Sequence, residues 1–274
     1  MQIEDIRQRT FLKVLIAMLL GWTILLAGIL FWNIKNLKQS TVQLAEQTAR
    51  MSWEKDILYR LWGARHGGVY VPVSQYAVPN PHLKVKNRDV LINGREYTLI
   101  NPALMTRQVY DLAQDMTSIQ GHITSLNPIR PENAADIWEQ KALKNFEDGE
   151  EEYKEIVQFE GASYLRLMRP FITKEACLQC HAVQGYKVGD VRGGISIRVP
   201  MDSYQLQYMR SLKQFWGAYV FIWLVGVGFV FMLGSIINKT VQKLSKSQKN
   251  TTSILENIDS AGLGVYIVDD KFRI

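Results

Sequence analysis

The stretch EACLQCHAVQGYK, residues 175–187, holds both cysteines of the chain, and one of its four histidines follows the second at once. Three chemistries use such a pattern: covalent haem attachment, a metal or redox CxxC, and a small disulfide loop. In C-x-x-C-H the two thiols add to the haem vinyl groups, and the adjacent imidazole reaches the iron as proximal ligand. That reading gives Cys177 and Cys180 the thioether bonds and His181 the iron. Zinc would want four ligands, usually from a second pair, and the chain has no further cysteine. A thioredoxin-like site places CxxC at a helix start inside a βαβ unit. Here strand-like YLRLMRPFI precedes the motif, and glycine-punctuated AVQGYKVGDVRGG follows it as loop. A disulfide between Cys177 and Cys180 closes a very short loop and stabilises little. Haem c is the favoured chemistry, with the disulfide, metal and redox readings kept as alternatives.

The compartment follows from two uncharged runs. Val14 to Trp32 and Phe215 to Ile237 are each close to the ~20 residues that cross a hydrocarbon core as helix. Neither shows the polar face of a buried core helix. The first has the basic flank of a signal peptide, Arg7, Arg9 and Lys13, but no small-residue cleavage site follows its bulky end FWNIK. It reads as an uncleaved anchor. Lys239, Lys243, Lys246 and Lys249 follow the second run, and the basic flank precedes the first. Both termini are therefore expected in the cytoplasm of a two-pass protein of the bacterial inner membrane. The expected division is a cytoplasmic start (1–10), a span (11–33), a periplasmic domain (34–213) and a span (214–237). A linker helix (238–258) and the start of a further domain (259–274) follow. The formal charge of +6 is partly a membrane-surface feature, and nothing calls for nucleic acid. The outer face is also where haem is attached covalently, so the cytochrome c maturation machinery is an expected partner, beside the lipid bilayer.

Between the spans, Leu37, Leu44, Met51, Leu58, Leu61 and Trp62 recur at helical intervals up to Arg65. Gly67 and Gly68 end that helix, and Val69 to Val73 read as a strand. REYTLI (95–100) reads as a second strand. Asn101 caps a helix with Pro102 at its first position. NAADIWEQKALKNFEDG is a further helix. EYKEIVQFEGASYLRLMRPFI gives two strands about Glu160 and Gly161, and GGISIRVPM alternates as a half-buried strand. Helices flanking antiparallel strands make the fold class α+β. After the second span Val241, Leu244, Leu255 and Ile258 fit a short parallel coiled coil, the only support here for a homodimer. The tail AGLGVYIVDDKFRI reads as a hairpin begun and not finished, as at the front of a longer protein.

Four further stretches, HGGVYVPV, LINPALMTRQ, HITSLNPIRPEN and MRPFITKEACLQCHAVQGYKVGDVRGGISI, occur in an order that resembles a family of extracytoplasmic haem-c sensor domains. The resemblance covers roughly residues 40 to 205. It implies a PAS-like antiparallel sheet and a membrane receptor that senses redox state or a diatomic gas. The tail ILENIDSAGLGVYIVDD looks like the opening of a cytoplasmic PAS domain, which implies a histidine kinase or diguanylate cyclase output. The alternative is a membrane-anchored c-type cytochrome in electron transfer, and a third reading is a haem-free sensor of an organic ligand. No catalytic motif stands in the chain.

His181 leaves one axial position. His66 is the first candidate, because it opens a motif of the resembling family beside two glycines that admit a planar cofactor. His82, His122, Met105, Met116 and Met168 are further candidates, as is a vacant position. Haem propionates want cationic or hydroxyl partners, for which Arg107, Tyr186, Lys187 and Arg192 are placed in motif segments. Trp62 and Tyr70 are expected in the core or against the haem.

Overall fold

The computed structural model describes residues 2–260. Helix α1 runs Gln2–Arg65 and helix α5 Asp202–Ser260, and between them lie β1 (Val69–Pro72), β2 (Asp89–Ile92), β3 (Arg95–Ile100) and α2 (Pro102–Ala113). There follow β4 (Gln120–Thr124), α3 (Ile137–Glu147), β5 (Tyr153–Phe159), β6 (Ala162–Ile172), α4 (Glu175–His181) and β7 (Val191–Pro200). The chain divides into two compact units, one made of the residues up to Lys35 and from Ser211 on, the other of Asn36–Arg210. The expected start of a further domain, 259–274, lies outside the described residues from 261 on.

In the first unit both helices are long and apolar enough to cross a membrane, with mean hydropathy of 2.6 and 2.5 over their most apolar windows. Ile24 and Phe31 are 71% and 72% exposed, an unfavourable display in water and a neutral one in hydrocarbon. The two helices approach closely at small residues, as membrane helices do. A Cβ on Gly226 would lie 2.2 Å from the Trp22 ring, and Trp223 Nε1 donates to Thr23 Oγ1 at 3.0 Å.

The second unit is α+β, as expected, with two antiparallel sheets among the described residues. A three-stranded sheet has the order β1-β3-β2, and a four-stranded sheet has β4-β7-β6-β5. Strand β2 has a signal in the sequence. Asn93 and Gly94, both at positive φ, form the two-residue turn that joins β2 to β3. The larger sheet is covered on both faces. Leu165, Leu167, Ile195 and Ile197 pack toward Ala45 and Ala49 of α1, while Met168 packs with Leu143 and Phe146 of α3. Leu165 through Met168 are therefore all buried, and the alternation of a half-exposed strand is lost in β6.

Packing between β6 and β7 is tight enough to require glycine at 194. A Cβ there would stand 2.6 Å from Arg169 O and 2.7 Å from Met168 Cε. Gly194→Ala is expected to destabilise the domain by about 1–3 kcal/mol, the cost typical of overpacking. Thermal melting of the detergent-solubilised protein would measure it, and an unchanged melting temperature would contradict the packing described.

Candidate functional site

A cleft of about 420 Å³ opens between the C-terminal part of α1, the loop before β2, helix α2, the segment after β4, and helix α4. That volume lies within the ~300–1,000 Å³ typical of small-molecule and cofactor sites. Its apolar wall includes Leu83, Leu104, Ile123, Ile129, Phe171 and Val183. Its polar wall is cationic: Arg60, Arg107, Arg130, Arg192, Lys84 and two histidines, His82 and His181. Gly193 lies where β7 passes β4, and a Cβ there would meet Thr124 O at 2.3 Å.

The CxxCH motif forms α4, a single short helix rather than a loop. Cys177 is half-buried, and its Sγ accepts from the Lys174 amide at 3.4 Å. The side chain of Cys180 is outside the described ones. His181, at the end of α4, reaches the cleft with both ring nitrogens engaged. Nδ1 faces Gln184 Oε1 at 2.5 Å, and Nε2 faces Arg192 Nη1 at 2.8 Å. Burial, and then the charge of Arg192, lower the His181 pKa from its ordinary 6.5. The imidazole is therefore neutral at physiological pH, the form that binds a metal.

Burial and the neighbouring Arg192 also bring Arg60 down to about 10, so it keeps its charge at neutral pH. Arg107 is lowered too, first by burial and then by Arg130. The Arg60 guanidinium lies over the Phe171 ring at 4.5 Å, an aromatic face for a cation. Four arginines line one cleft with a partly apolar wall, an arrangement suited to carboxylate groups.

Of the residues singled out in the sequence, His181, Arg107 and Arg192 share the cleft. Tyr186 stands beside it, its ring edge-on to His181 with centroids 6.4 Å apart. His66 does not line the cleft. It is exposed at the end of α1, its Nδ1 2.8 Å from Trp62 O and its ring 4.4 Å from that of Trp62. Trp62 and Tyr70 are 53% and 41% exposed, so neither is a core residue. His122 belongs to a separate polar cluster on the α3 side of the sheet, against Glu139. Met168 is buried under α3, whereas Met116 is 82% exposed. Arg60, Arg130 and Gln184 were not singled out. Gln184 carried a faint signal, one helical turn beyond His181.

A protein-family model described as Tll0287-like matches residues 34–200, well over half of the chain. The chain belongs to the Tll0287-like family. All the walls of the cleft, and the CxxCH helix with them, fall inside that family region. Among solved structures, one titled "Crystal structure of the cyanobacterial heme-protein Tll0287" matches at 16% identity. It covers 56% of this chain and 93% of its own, with a TM-score of 0.37. No curated protein matches.

Proposed function

We propose that residues 34–213 form an extracytoplasmic haem-c sensor domain held between two membrane spans. The observation that carries this reading is the placing of His181: the imidazole of CxxCH enters a cleft whose other walls are apolar side chains and guanidinium groups. Membership of the Tll0287-like family supports it, since that family takes its description from a protein titled a haem protein. The residues present fit the group. Cys177 and Cys180 would each add S–H across one vinyl C=C, forming a thioether with no net oxidation. His181 would ligate iron through Nε2. Arg107 and Arg192, with Arg60 and Arg130, would hold the propionates, and Tyr186 would close the edge. When bound, haem supplies a reversible one-electron couple and an axial position at which a diatomic gas can bind.

As a second residue that would hold the iron, His82, which lines the same cleft as His181, is better placed than His66, which stands exposed outside it. His82→Ala is expected to open the iron to carbon monoxide, and His66→Ala to leave the spectrum unchanged. Absorption spectra of the reduced variants measure this, and the reverse pattern would return the position to His66.

The sensing role is part of the same reading. Two helices long and apolar enough to span a bilayer flank the domain, an arrangement suited to carrying a signal across it. The PAS-like sheet and a PAS-coupled histidine kinase output are proposed with it, supported by the motif order and the tail sequence, and a homodimer through 238–258 by the spacing of Val241, Leu244, Leu255 and Ile258. Reporter fusions test the orientation. A fusion at residue 120 is expected to be active only outside the inner membrane, and one at 245 only inside. The opposite pattern would remove the route to haem attachment.

A further inference from the structure

The hydrogen bonds around His181 leave no freedom in where its proton sits. Arginine has donors and no acceptor, so Arg192 Nη1 must donate and His181 Nε2 must accept. A neutral imidazole accepting at Nε2 carries its proton on Nδ1, and that proton points to Gln184 Oε1. The amide of Gln184 cannot be flipped, because its Nε2 donates to the carbonyl oxygen of Asn127 at 2.7 Å. Asn127 is itself tied down: its amide donates to Ser125 Oγ at 3.2 Å, and Ser125 Oγ donates to Arg192 O at 2.8 Å. The relay runs from the segment after β4, through Gln184, across the imidazole, to β7.

We infer that Gln184 is the positioning residue of the iron ligand: by accepting from Nδ1–H it holds the His181 ring in its orientation and tunes its basicity, with Nε2, the nitrogen that accepts from Arg192 here, as the one that would be given to iron. The inference rests on the haem reading for its consequence, though not for its geometry. A metal-bound histidine commonly donates its other N–H to an outer partner, which sets ring orientation and ligand strength. A side-chain amide here, unlike a backbone carbonyl, can be changed by substitution. Gln184→Ala removes the acceptor and is expected to weaken the imidazole as a donor, favouring reduced iron. Gln184→Glu sets a carboxylate against Nδ1–H, strengthens the donor and favours oxidised iron. The expected change is about tenfold in the oxidation equilibrium, or about 59 mV for one electron, in opposite directions for the two variants.

Two measurements on the full chain in detergent decide it. Nitrogen-15 NMR of the histidines in the haem-free protein is expected to show His181 unprotonated at Nε2, and an Nδ1 signal shifted by the loss of its hydrogen bond in Gln184→Ala. A wild-type ring protonated at Nε2, or an unchanged Nδ1 signal in the variant, would overturn the inference. Redox titration of the haem-loaded protein is expected to give shifts of opposite sign in the Ala and Glu variants. Shifts of the same sign, or none, would overturn the tuning role. The NMR arm needs no haem, so a chain that never takes up haem defeats the preceding reading while the tautomer still decides this one.

Discussion

Glu139→Ala is expected to destabilise the domain by about 3–5 kcal/mol, the cost of leaving a buried charge without its partner. Glu139 is 1% exposed, yet it is a charged residue on α3. It is held by His122 Nδ1 at 3.0 Å, Arg166 Nη2 at 3.1 Å, Ser196 Oγ at 2.5 Å and the Asp136 amide at 3.1 Å. The same carboxylate completes the capping box of α3, so its removal loosens the helix start as well. Arg166, itself buried, would keep, among the described residues, Asp136 and the face of Trp138. Burial pushes the Glu139 carboxyl up, but the bonds and charge of His122, with Ser196 and the Asp136 amide, outweigh it and hold it at about 2. His122 is raised above its ordinary 6.5, chiefly by its bond to Glu139.

The pH dependence follows from those directions. The carboxylate contribution is present above its ordinary 4.5 and is lost as pH falls toward 2. The His122 contribution is complete below 6.5 and is lost as pH rises through its raised folded value. The gap in melting temperature between wild type and Glu139→Ala should therefore be widest between about pH 4.5 and 6.5 and narrow on both sides. A gap that does not narrow on either side of that range would show that the network is not ionised as described.

His181→Ala is expected to have the largest effect on the cofactor. The ring is the histidine of the motif, and its position on the cleft wall is fixed from both nitrogens. Without it a bound haem would lack the imidazole proposed to hold its iron, and Arg192 would face the space the ring had filled. The ferrous spectrum should change from six-coordinate low-spin to high-spin, with reduced haem content per chain. A variant whose spectrum matches wild type would assign the ligand elsewhere and undo the reading of the cleft.

Much of this architecture was legible in the residues. The turn at Glu160 and Gly161 gave β5 and β6, and Asn101 with Pro102 gave the start of α2, because each signal is local. The charge network was not legible, although it obeys the same periodicity. Glu139, Ala142, Leu143 and Phe146 fall on one helical face and are all buried, while Ile137 is 88% exposed. A pattern that counts glutamate as polar and isoleucine as core inverts that helix. Only the arrival of Arg166 from β6 and His122 from β4 makes Glu139 a stable interior residue, and no local sequence records it. Strand β4 was missed for a related reason. It is five residues long and includes Gly121, which a strand pattern disfavours. That glycine lies where the Tyr110 ring would stand 2.2 Å from a Cβ. The cleft itself draws on residues from Arg60 to Gly193, so the sequence offered its CxxCH motif with Arg107 and Arg192, but not Arg60 and Arg130 beside them.

The most direct measurement of the central claim is haem retention by the denatured chain. The full-length protein is made in a host able to mature c-type cytochromes, then unfolded, separated by denaturing electrophoresis and stained for haem. Haem is expected to migrate with the polypeptide, and to be missing from a Cys177→Ala, Cys180→Ala double variant. A colourless wild-type band, with the two cysteines free or joined to each other, would contradict it.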